Sequence, residues 1–486
     1  MATSPRNSKT RSSPPPTLHE ELLFDEILTR LPIDAAVRFQ VVCREWHAAP
    51  TSAHFVAAHA AKAAAGRQPE IVFFSPTGPG TATSFYACSL PMHGNAPAVT
   101  TARELLTVGD LAGEHLVLSG NRPCRGLTLV FDVRSYEYYV FNLSTGEHLV
   151  LPPCEAAAEI EHRLPRFQRF PLELSSTGLG FDPATGEHKV VRLFRNIFEQ
   201  QKCEVCSLSA SGVWRWRPCG GGNAPPGFAS HVDGRPPVAI DGALYWLLHT
   251  RSFIDGGRAG DLQLHDAPIL SLSIGAERFG WVRTPPRLTG RIRHLTNLDG
   301  SLCAVVHDRL VDDMLLLLTW SSGTSPSWSA RCRVDVGGLP RPIRGELGGM
   351  REIVPLCSSG NGKTILLATS RHKVIAYDVQ SGDAEEVFDM NRYVDVPGRN
   401  SESQLLLNIQ LHEERIAAGI GRTLAAGGAG TRLQQVKRGG GHTVVGKRPR
   451  EVSAKVYQEH RKQDDNDHQF REYITQLAFP TKESRF

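Results

Sequence analysis

The chain lacks any long apolar run. Its longest, Ala243 to Leu248, falls far short of the ~18 residues that cross a bilayer as a helix, so a membrane span is excluded. The opening stretch, MATSPRNSKTRSSPPP, has no apolar core either, which argues against secretion. Closely spaced cysteines are also missing. Ten are scattered between Cys43 and Cys357, too widely for a small disulfide framework, and they read as reduced thiols of a cytosolic or nuclear protein. In that setting the sequon Asn142-Leu143-Ser144 stays unglycosylated. A dominant charge is lacking as well: the net +4 sits in the tail, where residues 420–486 hold 13 Lys and Arg against 7 Asp and Glu, and any affinity for nucleic acid would sit there too. What is present is ordinary for a soluble globular protein, 41% hydrophobic and 21% charged, which excludes wholesale disorder. The 486 residues predict two or three domains. The 45 glycines and 32 prolines favour many turns and short strands, and the glycines have no three-residue period of the collagen kind.

Signatures of catalysis are scarce. Gly360-Asn361-Gly362-Lys363-Thr364 ends like a phosphate-binding loop, but Cys357 stands where the first glycine belongs and the following ILLATS is strand-like, so no helix N-terminus faces a phosphate. Gly441 to Lys447 has the glycine spacing, yet Arg448 follows and leaves no hydroxyl for Mg²⁺. Cys203 and Cys206 form one Cys-x-x-Cys without a second ligand pair, short of a zinc site. Asp464, Asp465 and Asp467 lack the glycine and glutamate of a calcium loop. No Gly-x-Ser-x-Gly elbow and no His-Glu-x-x-His occurs. No catalytic residue, metal or cofactor is assigned.

Residues 1–17 read as a disordered leader rich in serine and proline. From Leu18 to about Ala65 the pattern is helical. A first helix from about Glu20 to Arg30 places Phe24, Ile27, Leu28 and Leu31 on one stripe and is stopped by Pro32; Asp34 is a fit N-cap for a second. That second segment carries two apolar stripes, Ile33, Ala36, Val37 and Val41 against Phe39, Val42, Cys43 and Trp46, on roughly opposite sides. A unit this small has little interior to cover both. Either one face belongs to another protein or domain, or both pack within a larger fold; periodicity leaves both open.

Between about Pro69 and Glu414 the pattern becomes strand-like. LTLVFDV (127–133), YYVFNL (138–143), HKVVRLF (188–194), CEVCSL (203–208), ALYWLLH (243–249), LCAVVHD (302–308), LLLLTW (315–320) and KVIAYDV (373–379) are separated by Thr145-Gly146, Thr185-Gly186, Asp241-Gly242, Asp299-Gly300 and Ser381-Gly382. YVFNLSTGEHLVLPP, CEVCSLSASGVWRWRP, ILSLSIGAERFGWVRTPP and VIAYDVQSGDAEEVFD overlay as strand, turn, strand; IDGALYWLLH and LDGSLCAVVHD form a second type. Such hairpins fit a β-propeller of six to eight blades of ~40 to 50 residues, with a pair of β-sandwiches as the alternative. The aromatics of this region read as blade packing, and Arg341 to Arg351 and His231 to Pro237 as loops able to meet a partner. From about Ile416 the chain turns Gly-rich and basic and reads as mostly disordered.

Two stretches carry a family resemblance. LHEELLFDEILTRLPIDAAVRFQVVCREWHAAPTSAHF, residues 18–55, resembles an F-box: Ile27-Leu28, Leu31-Pro32, Val41-Val42-Cys43, Trp46 and Phe55 stand where that family has them, while His19 replaces its opening proline. GLGFDPATGEHKVVRLF (178–194) and AIDGALYWL (239–247) resemble the F-box-associated domain of plant F-box proteins. The resemblance implies an α+β multidomain chain: disordered leader 1–17, three-helix F-box 18–65, kelch-like propeller 69–415 and disordered tail 416–486. It further implies a non-catalytic substrate receptor of a cullin-based ubiquitin ligase, in cytoplasm or nucleus. Leu18, Ile27, Leu31, Pro32, Val42, Cys43 and Trp46 would dock a Skp-family adaptor and through it a cullin scaffold, while the propeller holds an unknown target protein. Two readings compete with it: a propeller enzyme with a helical oligomerisation hairpin, and a nuclear regulator binding nucleic acid through the basic tail.

Overall fold

The computed structural model describes residues 27–31, 33, 35, 42 and 52–64, most of 68–415, and the segments 436–438 and 443–445; within 68–415 it leaves aside chiefly 77–81, 91–100, 155–174, 196–200, 223–234, 249–268, 309–313 and 395–407. Six antiparallel sheets follow one another along the chain. Blade 1 contains β1 (Glu70–Pro76), β2 (Ala82–Ser89) and β3 (Thr101–Gly109). Blade 2 is β4 (Leu116–Leu118), β5 (Thr128–Asp132), β6 (Glu137–Asn142) and β7 (Glu147–Val150). Blade 3 is β8 (Ser175–Asp182), β9 (Glu187–Arg195), β10 (Gln201–Leu208) and β11 (Trp216–Pro218). Blade 4 is β12 (Val238–Ile240), β13 (Ala243–Leu247), β14 (Ile269–Ser273) and β15 (Arg278–Val282). Blade 5 is β16 (Ile292–Leu298), β17 (Ser301–Asp308), β18 (Met314–Ser321) and β19 (Ser327–Asp335). Blade 6 is β20 (Ile353–Ser359), β21 (Thr364–Thr369), β22 (Lys373–Asp378) and β23 (Ala384–Asp389). A late strand, β24 (Ile409–Leu411), returns to pair with β1 and takes the innermost place of blade 1. The architecture is a six-bladed β-propeller, not a pair of sandwiches.

Strand alternation explains how the blades stack. On β17, Leu302, Ala304 and Val306 face blade 4, while Cys303 and Val305 face blade 6. On β21, Ile365 and Leu367 meet blade 5 and Leu366 and Ala368 meet blade 1. Successive side chains point to opposite faces, and both faces are covered by a neighbouring blade, so TILLAT is buried throughout. Six apolar clusters fill the six seams, including the one where Ile71 and Phe73 of blade 1 meet Val354 and Phe388 of blade 6. That last seam closes the ring. Each fully buried Leu, Ile or Phe contributes about 1.5–3 kcal/mol.

Hydrogen bonds between the innermost strands and the residues flanking them measure the repeat. Ser119 Oγ donates to Thr177 O, Ser176 Oγ to Arg235 O, Arg235 Nη1 to Arg293 O at 2.8 Å and Thr296 Oγ1 to Pro355 O at 2.8 Å, with sequence separations of 58 or 59 residues. The repeat is therefore longer than the 40 to 50 residues expected, and six blades use the span. The Asp-Gly pairs behave as anticipated: Asp241 and Gly242, and Asp299 and Gly300, all have φ between 47° and 84° and close two-residue hairpins. A charged tie joins blades 3 and 4, where Glu277 accepts two bonds from Arg217 (2.7 and 2.5 Å), one from Gly220 N (2.9 Å) and one from the buried Lys189 (3.2 Å).

Several expectations change. Arg341–Leu347 is not a loop but a helix, α2, which packs Leu347 into the seam between blades 5 and 6. The tail contributes two strands, β25 (Val436–Arg438) and β26 (Thr443–Val445), antiparallel along β3. An outer strand presents unpaired amides and carbonyls, and these short segments satisfy part of that edge. Within the glycine-spaced stretch that starts at Gly441, Thr443–Val445 is strand. In the N-terminal region, Leu28–Arg30 forms a 3-10 turn and Ala53–Ala64 a helix, α1, begun by Ser52, whose Oγ accepts from Phe55 N at 3.1 Å. Leu28, Ile33, Phe55 and Val56 bury one another, with Leu31 at their edge. The remainder of the expected F-box helices lies outside the described residues.

Candidate functional site

The propeller axis is bridged from side to side. Asn121 Nδ2 of blade 2 donates to Thr296 Oγ1 of blade 5, and Arg122 Nη1 to Asn297 Oδ1 at 3.5 Å. Blades 2 and 5 are three steps apart in a ring of six, so these bonds cross the axis. Above them opens a cavity of about 1340 Å³, ringed by the β4–β5 connection, the turns after β8, β12, β16 and β20, and the segment following β24. It is a cup whose walls come from all six blades.

Most acids of the cup already have partners. Glu70 accepts from Ser89 Oγ at 2.9 Å and lies 3.8 Å from Arg103. Asp299 accepts from Ser358 N at 3.0 Å and Ser358 Oγ at 2.5 Å. Glu413 takes Arg415 at 3.2 Å and Gly126 N at 3.3 Å. Arg125 stands 3.9 Å over the Phe181 ring. Beneath it, burial pushes the His188 imidazole down to about 4; the bond to Cys124 O opposes this, and the positive charges of Arg125 and Arg415 add to it. Burial likewise raises the thiols of Cys124, to about 12, and Cys357, to about 11, leaving them protonated and poor nucleophiles near neutral pH. No three metal-binding side chains converge among the described residues. Cys203 and Cys206 point to opposite faces of β10, the first toward blade 4 and the second toward blade 2, and do not share a site.

The residues expected to dock an adaptor are only partly placed. Ile27 is 43% and Val42 59% exposed, and Leu31 is half-buried with its carbonyl 2.9 Å from His59 Nε2. Leu18, Pro32, Cys43 and Trp46 lie outside the described residues, as do 231–234 of the loop once considered for partner contact. Ile33 N donates to Glu414 Oε1 at 2.8 Å, which fastens the N-terminal unit beside the cup. Trp246 is buried in a seam and Trp320 stacks at a tilt on Trp328 5.4 Å away, the packing roles anticipated for them. The cup residues Asn121, Arg122 and Asn297 escaped sequence reasoning. Their signal was faint: a polar, glycine-flanked SGNRPCRG after an apolar strand, and an Asn two residues before an Asp-Gly turn.

No family model matches the chain. It is 24% identical over 318 residues to an F-box/LRR-repeat/kelch-repeat protein of Arabidopsis thaliana, covering 64% of this chain and 75% of that one. It is 22% identical over 415 residues to an Arabidopsis F-box protein, covering 76% and 87%. Further Arabidopsis F-box relatives are spanned over only 58% and 52% of their lengths. Among solved structures, a chain of a nidogen/laminin complex overlays 71% of this chain and all of its own at 13% identity, with a TM-score of 0.35. Over much of its length the chain is a distant homologue of the Arabidopsis F-box/kelch-repeat proteins, built around a six-bladed β-propeller.

Proposed function

We propose that the chain is the substrate-recognition subunit of an SCF-type ubiquitin ligase, working in cytoplasm or nucleus and carrying out no chemistry itself. The N-terminal face of Leu18, Ile27, Leu31, Pro32, Val42, Cys43 and Trp46 docks a Skp-family adaptor and its cullin scaffold, and the propeller holds the target. The observation that carries this reading is the order of parts: the F-box-like residues precede a closed propeller, in a homologue of F-box/kelch-repeat proteins. Ile27 and Val42 supply exposed apolar surface on a unit whose own small core is made by Leu28, Ile33, Phe55 and Val56. Holding the target beside a charged conjugating enzyme raises the effective concentration of its lysines, and that proximity is the whole catalytic contribution. The test is affinity purification of the full chain from proteasome-blocked cells with mass spectrometry. Adaptor and cullin should co-purify with a target whose abundance falls when the block is lifted. Their absence, or turnover of a small substrate by the isolated chain, would overturn the proposal.

A further inference from the structure

Arg122 sits where the cup meets the axis, half-buried, on the connection that follows β4. Among the described residues its only hydrogen bond is the 3.5 Å contact to Asn297, at the limit of such a bond, and its Nε is buried without a partner. Among the described residues no carboxylate forms an ion pair with it. Glu70 and Glu413 are held by Arg103 and Arg415, Asp299 by Ser358, Glu414 by Ile33 N, and Asp241 stands exposed on the β12–β13 turn. A guanidinium offers five donors in a planar fork, and leaving a buried donor unmet is costly. Arg125 is close in sequence on the same rim and is matched to an aromatic face instead of an acid. Burial chiefly, with the charges of Arg125 and Arg415 adding to it, holds the His188 imidazole low beside this wall.

We propose that the cup receives an anionic side chain of the target protein, a carboxylate or a phosphoryl group on an extended segment, seated on the Arg122 guanidinium. The inference rests on the substrate-receptor reading and names the chemistry of its target. The volume of about 1340 Å³ admits several residues of a peptide, and the cross-axis bonds give it a floor against which one acidic side chain can stop. Arg can pair bidentately with two oxygens of either anion, and the partly enclosed site strengthens that pairing relative to the open surface.

The full chain should be offered pools of nine-residue peptides with randomised flanks and a fixed central Glu, phosphoserine, Gln, Ser or Lys. Wild type should enrich Glu- or phosphoserine-centred peptides at least about tenfold over their Gln or Ser counterparts, as expected for a charge-assisted bond, and the two anionic pools tell carboxylate from phosphoryl. Arg122→Gln should lose that enrichment, and Arg278→Gln, exposed at the start of β15 in blade 4, should keep it. If Arg122→Gln does not fold, Arg122→Lys, which retains the charge without the fork, should show a several-fold weaker preference. Equal recovery of anionic and neutral peptides by wild type, or undiminished preference in both Arg122 variants, overturns the proposal. Adaptor capture, followed in the same preparations, separates this failure from failure of the ligase reading.

Discussion

Replacing Gly178 with alanine probes how closely two blades approach. Gly178 lies on β8, innermost in blade 3, and a Cβ built there would stand 2.2 Å from Pro237 Cγ and 2.8 Å from Pro237 Cδ. A proline ring cannot rotate away, so relief requires the blade 3 and blade 4 backbones to part, at about 1–3 kcal/mol for overpacking of this kind. With an unfolding entropy near 2.1 cal/mol/K per residue, a ring of roughly 340 residues loses about 1.4 °C of Tm per kcal/mol, giving a fall of about 1.5–4 °C. Differential scanning calorimetry of Gly178→Ala should show that fall, and adding Pro237→Ala should recover part of it. Gly345→Ala makes the contrast, because nothing lies within 4 Å of its Cβ and the site is inside α2, where alanine stabilises by about 0.5–1 kcal/mol. A Gly178→Ala protein as stable as wild type would refute the described seam between blades 3 and 4.

Glu277→Gln should lower Tm at pH 7. Chiefly the Arg217 bond holds the Glu277 carboxyl down at about 2, so its contribution is complete above the unfolded value near 4.5 and lost as pH falls through about 2; the gap between variant and wild type should close across that window in thermal scans. Deleting residues 420–486 should leave the stability of the ring within about 1 kcal/mol, since among the described residues only two three-residue strands depart, but the bared edge of β3 should raise concentration-dependent association in light scattering. Ile409→Asp, which puts a charge on the buried closing strand, should lower Tm further than Gly178→Ala; an unchanged Tm would mean that β24 does not close the ring.

The fold was legible where a single strand carries its own signal. The four overlaid hairpins are the outer hairpins of blades 2, 3, 4 and 6, and the two Asp-Gly hairpins are the inner ones of blades 4 and 5. The blade length was also in the sequence, since the turns at Asp241 and Asp299 occupy equivalent places in adjacent blades. Strands such as Thr364–Thr369 hide this regularity, because burial on both faces erases alternation. Ile409–Leu411 went unread because three residues have no period; only pairing with a strand more than 300 residues earlier makes them a strand. The tail segments that lie on β3 were masked by their glycines and charges. The cup was not legible at all, since Asn121 and Thr296, or Arg122 and Asn297, meet only once six blades have closed.

The central claim is that the N-terminal unit is a docking face for a Skp-family adaptor, and titration calorimetry of the full chain with such an adaptor tests it most directly. Wild type should bind at micromolar concentration or tighter, and Trp46→Ala and Leu31→Ala should each weaken binding by about 30- to 1000-fold, the effect of removing an interface anchor that contributes roughly 2–4 kcal/mol. The same variants should leave the melting of the propeller unchanged. No heat of binding from wild type at micromolar concentration would contradict the account, with His19 in place of the family's proline the first residue to exchange.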